Sequence, residues 1–121
     1  MHMRILSNNI YWLQGYPSPN NRPDPASLTV LDELSELYNS LNIDVICLQE
    51  IQNQTTYDLL ATNLGRTGVY CSGNKFSWYG GAVFAENTVM RHSSGICNDE
   101  TDRFWAEVEI KTETTRINIL T

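Results

Sequence analysis

Apolar and polar positions alternate in three different ways along the chain, and each pattern predicts a kind of element. From Arg4 to Ile10 a short apolar-rich segment ends in polar residues, as in a strand whose last residues emerge from the core. From Asp44 to Leu48 the apolar run is unbroken, which is typical of a strand buried on both faces. From Phe104 to Ile110 apolar and polar residues alternate, so this strand should have one core face and one wetter face.

Two helices are predicted from the spacing of apolar residues and from their end signals. Asp24 before Pro25 predicts an N-cap followed by proline at the first helical position, and the helix should continue to Asn42. A second helix is predicted from Thr55 to Leu64, ending at Gly65. The apolar face of the first helix should pack on a sheet; its residues are Leu28, Leu31, Leu34, Tyr38 and Leu41.

The remaining segments are one irregular loop and several short extended pieces. Prolines from Pro17 to Pro25, interleaved with serine and asparagine, predict a loop long enough to take part in binding. Because no internal repeat, low-complexity segment or linker interrupts the chain, we expect one α/β layered unit. Beyond residue 65 the predicted strands are Val69–Cys71, Tyr79–Phe84, Thr88–Arg91, Phe104–Ile110 and Arg116–Leu120.

Composition narrows the possible classes of protein. A chain of 121 residues with 41% hydrophobic content fits one compact domain. It has neither an apolar run of the roughly 18 residues that a membrane span needs nor a signal-peptide pattern, so we expect a soluble protein. The cysteine usage makes the cytoplasm the default location, and secretion through a leader upstream stays open. Three distant cysteines without a C-x-x-C pair argue against a disulfide framework and a zinc knuckle. A net charge of -6 without a basic stripe disfavours capture of long nucleic acid, although a divalent cation could supply positive charge locally.

Three short patterns occur together in the chain: R-I-L-S-N-N-I at residues 4–10, D-V-I-C-L-Q-E-I at 44–51, and Y-G-G-A-V-F at 79–84. Their order and spacing resemble the first half of the endonuclease/exonuclease/phosphatase (DNase I-like) family, and the resemblance covers nearly all of the chain. It implies a two-sheet α/β sandwich, of which residues 1–121 form the N-terminal part of a single truncated domain. It also implies a hydrolase that uses Mg²⁺ or Mn²⁺ to cleave a phosphodiester or phosphomonoester, with nucleic acid, an inositol phosphate or a phospholipid headgroup as substrate.

Asn9 and Glu50 are the strongest candidate catalytic and metal-binding residues. The resemblance places Asn9 on the asparagine that ends the first strand, and Glu50 on the metal-binding glutamate after the second. A carboxylate at the end of a buried strand is rigidly held, and Mg²⁺ prefers one or two carboxylates together with several waters. The Asn9 amide could also bind the phosphate. Asparagine is common in turns, but Asn8, where many family members have tryptophan, could serve a turn equally well.

Three further residues have two open interpretations each. Gln49 could bind substrate or steady Glu50, or strand alternation could turn it toward solvent. Tyr79 matches an active-site tyrosine of some family nucleases and precedes two glycines that allow close approach, but it could equally pack at a sheet edge. Arg103 lies where the family often has an arginine that could bind phosphate, or it could form a surface salt bridge.

The catalytic histidine and the general base of the family are missing from the chain. The resemblance implies a histidine soon after the strand that R-I-N-I-L-T begins, then an Asp-x-Asn pair and a late Asp-His. His2 is terminal, and His92 in M-R-H-S-S is interpreted as a loop residue. We therefore expect a C-terminal half of the same domain to supply these groups, and this chain alone to be inactive. The alternative is a non-catalytic α/β binding or assembly module that keeps the fold without the chemistry.

Overall fold

A computed structural model of the chain describes residues 2–15, 25–86, 88–96, 100 and 104–121. Two short 3-10 turns, Tyr11–Leu13 and Ser77–Tyr79, follow the first strand and precede the fourth. No helix in this described part is long and apolar enough to cross a membrane. The regular elements are β1 (Ile5–Asn9), α1 (Leu28–Ser40), β2 (Val45–Ile51), α2 (Gln54–Leu64), β3 (Thr67–Cys71), β4 (Gly80–Ala85), β5 (Thr88–Ile96), β6 (Phe104–Lys111) and β7 (Arg116–Leu120).

The strands form two sheets that pack face to face. The first sheet has the order β1-β2-β4-β3, in which β1 and β2 are parallel and the other neighbours are antiparallel. The second sheet has the order β5-β6-β7 and is antiparallel. Both helices contribute to the core on the outer face of the first sheet, and the second sheet packs against its inner face. The two-sheet α/β sandwich expected from the sequence is therefore confirmed.

β2 is buried on both faces, as its unbroken apolar run predicts. Ile46 and Leu48 belong to the core beneath the helices, whereas Val45 and Cys47 belong to the core between the sheets. All four side chains are at most 3% exposed. Burial raises the pKa of the Cys47 thiol, and a hydrogen bond with Thr121 acts in the opposite direction. β2 thus contributes to both cores, as does the neighbouring β4.

α1 begins three residues later than the sequence predicts. Ser27 is its N-cap, because the Ser27 hydroxyl accepts the backbone N–H of Val30 at 3.4 Å. The N–H of Ser27 also donates to the Leu13 carbonyl, which fixes the entry of the chain into the helix. Pro25 therefore precedes the helix, and Asp24 lies outside the described residues.

The buried face of α1 is narrower than its apolar pattern. Leu31 and Tyr38 are each 1% exposed and Leu34 packs against the same core, whereas Leu28 is 63% exposed and Leu41 lies beyond the last turn. The end residues of the pattern therefore do not pack on the sheet.

α2 agrees with its prediction at the C-terminal end. Gly65 is its C-cap in the left-handed conformation, with a φ of 63°. Asn53 caps the N-terminus by accepting the N–H of Thr56 at 2.8 Å.

The alternation predicted for β6 is confirmed. The strand predicted for β5 is too short, because the prediction ends it at Arg91. Ala106, Val108 and Ile110 are fully buried between the sheets. β5 continues to Ile96, so His92 lies in a strand rather than in a loop and pairs with Val108. A polar segment can form this strand because β6 supplies its ladder hydrogen bonds while the side chains of residues 91–94 are exposed to solvent.

Within the described part, β1 and β7 are edge strands that expose apolar side chains. Ile5 is 53% exposed and Leu120 is 72% exposed. We expect residues 1–121 expressed alone to self-associate through these edges, because unpaired strand edges recruit other strands. Sedimentation velocity and circular dichroism would measure this, and Ile5→Lys should reduce the association because a charged edge resists strand pairing.

The control for this prediction is Leu59→Lys on α2, where a leucine is 38% exposed away from any strand edge. It should leave the self-association unchanged. A clean monomer with a sharp, cooperative thermal transition would show instead that these 121 residues form a stable unit by themselves.

Candidate functional site

The parallel pairing of β1 and β2 brings the ends of both strands to one edge of the sheet. Asn9, the last residue of β1, is the partner of Gln49 in the ladder. The backbone N–H of Ile10 donates to the Gln49 carbonyl at 3.1 Å and extends the pairing past Asn9. Asn9 and Glu50 therefore lie at neighbouring backbone positions at the same edge of the sheet.

A β-bulge in β2 determines the position of Glu50. On the neighbouring β4, Gly81 pairs with Gln49 and Gly80 pairs with Ile51, which leaves Glu50 as an extra residue between the two pairs. Its φ is 59°, in the left-handed region. Regular alternation would direct Glu50 into the helix-side core, but Ile51 takes that place and is 0% exposed. The bulge therefore leaves the Glu50 side chain only partly buried.

The glycine pair opposite the bulge accommodates other parts of the protein. A Cβ at Gly80 would lie 2.6 Å from the Cys71 carbonyl oxygen, and one at Gly81 would overlap the ring of Phe104. The sequence pattern predicts close approach at these glycines, and the neighbours are backbone and an aromatic ring from the second sheet. The sequence predicts that Tyr79 begins β4, and this is wrong. Tyr79 is the last residue of the 3-10 turn, and β4 begins at the next residue.

A left-handed turn begins two residues after Asn9. The φ angles of Tyr11, Trp12 and Leu13 are 46°, 52° and 55°. Asn9 serves this turn through its side chain, because its Oδ1 accepts the N–H of Tyr11 at 3.0 Å. The expectation that Asn8 could do so is wrong: its Nδ2 donates instead to the hydroxyl of Tyr38 at 2.6 Å.

The bond to the turn leaves the Asn9 amide further hydrogen-bonding capacity. A carbonyl oxygen of this kind has a second lone pair, and the amide nitrogen has two donors. Asn9 is exposed at the sheet edge, so its amide is accessible to a cation or a phosphate oxygen. The turn bond also holds the side chain in one orientation.

Gln49, Tyr79 and Arg103 have different surroundings. Gln49 is partly buried between the sheets, where its Nε2 donates to the Ser7 hydroxyl at 3.2 Å and to the Thr121 hydroxyl at 3.5 Å. The ring of Tyr79 lies 5.7 Å from that of Trp12, next to the turn after Asn9. Arg103 lies outside the described residues. The end of β7 therefore contacts the same sheet edge as the candidate residues.

The oxygen donors at this edge fit a hard divalent cation. Glu50 offers a carboxylate and Asn9 an amide oxygen, and Mg²⁺ is commonly held by one or two carboxylates while it keeps several waters. In the described residues no group of three or more histidine, cysteine, aspartate or glutamate side chains converges on one point. The Glu50 carboxylate and the Asn9 amide oxygen could therefore supply part of the coordination shell of such a cation.

A cavity of about 890 Å³ lies beside Asn9, between the left-handed turn and α1. Its wall includes Asn8, Tyr11 and Gln14 from the β1 side and Glu33 and Leu37 from the helix. Glu50 does not line it. The cavity therefore borders the candidate site without containing its carboxylate.

A comparison with protein families identifies the chain. The family model described as "Endonuclease/Exonuclease/phosphatase family" matches residues 7–120. The chain belongs to this family. No curated protein matches it in sequence.

Several solved structures share this fold over nearly the whole length of the chain. An endonuclease/exonuclease/phosphatase family protein from Leptotrichia buccalis is similar over 99% of this chain and 53% of its own, with a TM-score of 0.72 and 16% identity. The protein SmcL is similar over 98% and 46%, with a TM-score of 0.61 and 19% identity. A mutant beta toxin from Staphylococcus aureus with bound magnesium ions is similar over 96% and 47%, with a TM-score of 0.59 and 16% identity. The chain thus spans about half the length of these structures.

The left-handed backbone at Glu50 should reverse the usual effect of glycine on the free energy of unfolding. At a left-handed position glycine is favoured over alanine by about 1 kcal/mol, whereas inside a regular strand glycine is disfavoured by about 0.5–1 kcal/mol. Both Glu50→Gly and Glu50→Ala remove the carboxylate, so their difference isolates the backbone effect. We expect the glycine variant to have the higher free energy of unfolding, measured by urea denaturation of the intact protein.

The same pair of substitutions at Glu107 is the control. Glu107 is a partly buried strand residue in β6, paired with Ser93, and its φ is not positive. There the alanine variant should be the more stable. The same order of stabilities at both positions would mean that Glu50 does not occupy a left-handed bulge.

Proposed function

We propose that the chain is part of a Mg²⁺- or Mn²⁺-dependent hydrolase that cleaves a phosphodiester or phosphomonoester bond. One observation carries this proposal: the bulge excludes Glu50 from the core at the edge where Asn9 ends the neighbouring parallel strand. Left-handed backbone at a non-glycine residue is unfavourable and is typical of functional sites. An ordinary strand with isoleucine at position 50 would need neither the bulge nor the strain.

Each candidate residue has a proposed role. Glu50 would hold the cation with its carboxylate, and Asn9 would orient the cation or donate from its amide nitrogen to a phosphate oxygen. When bound, the cation would stabilise negative charge that develops on the phosphate and on the leaving oxygen. Tyr79 and Arg103 would donate to phosphate oxygens, and Gln49 would bind substrate or hold the strand ends together.

The base that activates water would come from a C-terminal half of the same domain. Glu50 and Asn9 can hold a cation, but they cannot also deprotonate a nucleophile. The Thr121 hydroxyl lies 3.5 Å from the Gln49 amide nitrogen, so a continuation of β7 would start beside the candidate site. Structures about twice as long as this chain, with the same fold over its length, support this proposal.

The cofactor and the substrate class rest on different observations. Beta toxin, which shares the fold, binds magnesium ions, and the oxygen donors of Glu50 and Asn9 suit the same ion. The substrate would be a phosphate ester, such as nucleic acid, an inositol phosphate or a phospholipid headgroup. A net charge of -6 makes a long polyanion the least favourable of these.

Glu50→Gln tests the proposal directly. In the intact protein it should lower the turnover of a generic phosphodiester at saturating Mg²⁺ by about a hundredfold or more, because an amide binds Mg²⁺ far less well than a carboxylate. The fold should remain intact, as checked by circular dichroism.

Glu36→Gln is the matched control, because Glu36 is an exposed carboxylate on α1. It should leave turnover unchanged. Near-normal turnover of Glu50→Gln would remove Glu50 from the mechanism. An intact protein with neither hydrolytic activity nor a specific Mg²⁺ site would favour the non-catalytic binding module.

A further inference from the structure

Left-handed backbone is concentrated at the ends of β1 and β2. In the described part of the chain five non-glycine residues have positive φ, and four of them are Tyr11, Trp12, Leu13 and Glu50. Such conformations persist only where the surrounding contacts impose them. The contacts that impose them here therefore decide where the side chains at the two strand ends lie.

Gln52 links the two strand ends. It lies just after β2 and is 4% exposed, and its Nε2 donates to the carbonyl oxygen of Trp12 at 2.8 Å. Its neighbour Ile51 is fixed by pairing with Gly80, so the Gln52 backbone has little freedom. The hydrogen bond therefore joins the segment that carries Glu50 to the left-handed turn.

The left-handed turn is also hydrogen-bonded to the segments that carry the candidate residues Asn9 and Tyr79. Trp12 is 4% exposed, and its indole N–H donates to the carbonyl oxygen of Trp78, the residue before Tyr79, at 2.6 Å. On its other side, the N–H of Tyr11 binds the Oδ1 of Asn9 at 3.0 Å. A displacement of the turn would thus change the orientation of the Asn9 amide and the position of Tyr79.

We propose that Gln52 is a positioning residue that sets the Asn9 amide at the correct separation from the Glu50 carboxylate for binding a divalent cation. This proposal rests on the proposed function. Gln52 does not bind the cation itself, and it acts through the left-handed turn. Its hydrogen bond to Trp12 connects the two strand ends beyond the last backbone pair between β1 and β2.

The need of the Trp12 carbonyl oxygen for a hydrogen-bond donor does not by itself explain why a glutamine is buried at position 52. The Nε2 of Gln14 also donates to the Trp12 carbonyl oxygen, at 3.2 Å, so that oxygen has a donor without Gln52. Burial of an amide side chain is costly, and an apolar residue would fill the same space without that cost. What Gln52 adds is a direct connection from β2, which Gln14, two residues beyond Trp12, cannot provide.

The test compares Gln52→Met with Gln14→Met in the intact protein. Each variant removes one amide donor to the same carbonyl oxygen and keeps a side chain of similar length. Mg²⁺ affinity, measured by calorimetry without substrate, should fall about tenfold or more for Gln52→Met, as is usual for residues that orient metal ligands. It should change less than about twofold for Gln14→Met.

Hydrogen exchange gives a second readout that is independent of metal. The backbone amide of Tyr11 and the indole N–H of Trp12 should exchange faster in Gln52→Met than in the wild type, measured by NMR without Mg²⁺. If the methionine variant does not fold, Gln52→Asn replaces it. That variant keeps a polar amide in the buried site, but it is one methylene too short to reach the carbonyl oxygen of Trp12.

The outcomes separate the two proposals. A wild-type protein that binds Mg²⁺ and is hydrolytic, with a Gln52 variant within twofold of its Mg²⁺ affinity, overturns the positioning role and leaves the proposed function intact. Equal losses of affinity in the Gln52 and Gln14 variants also overturn it, because a general loosening of the turn then suffices. A wild-type protein that binds no Mg²⁺ overturns both proposals.

Discussion

The parallel pairing of β1 with β2 is the interaction on which the candidate site depends. β2 is buried in two cores at once, so a shift of its register would move apolar side chains out of both. That register places Asn9 opposite Gln49. Because the two strands run in the same direction, both carboxyl ends meet at one edge, whereas antiparallel strands would place Asn9 and Glu50 at opposite ends of the sheet. The burial of β2 thus fixes the location of two polar side chains that are themselves outside the core.

Regular strands bring the site together, but irregular backbone orients it. Left-handed residues other than glycine cost about 1–3 kcal/mol each and need support from the rest of the fold. Trp12 and Leu13 are almost fully buried, and the N–H of Ser27 binds the Leu13 carbonyl at 3.1 Å. The bulge at Glu50 is supported in the same way, because Ile51 fills the helix-side core. Packing energy from the core therefore maintains the strained backbone at the sheet edge.

The difference between what could and could not be predicted from the sequence follows from the range of the interactions. The buried run of β2, the alternation of β6 and the glycine at the end of α2 depend on neighbours within one element, so local patterns reveal them. The left-handed turn depends on partners far along the chain: Gln52 is 40 residues from Trp12, and Trp78 is 66 residues from it. No local rule predicts such a conformation for tyrosine, tryptophan and leucine. The same holds for the bulge, for which Gly80 and Gly81 on the neighbouring strand were the available signal.

The second sheet contributes to the site although none of its described residues is a candidate ligand. Phe104 from β6 occupies the space beside Gly81, next to the bulge, and the backbone N–H and carbonyl of Thr121 both pair with Ala106. Thr121 in turn lies within 3.5 Å of the Gln49 amide. The end of β7 is therefore held at the strand ends both by β6 and by the candidate residue Gln49. Under the proposed function, one carboxylate and one amide would leave most of a cation's coordination shell to water, and the proposed C-terminal half would supply the group that activates a nucleophile. Because Gln49 also pairs with Asn9 and precedes Glu50, its hydrogen bond to Thr121 joins the second sheet to the strand ends that carry both candidate residues, so the packing of the two sheets also shapes the surroundings of the candidate site.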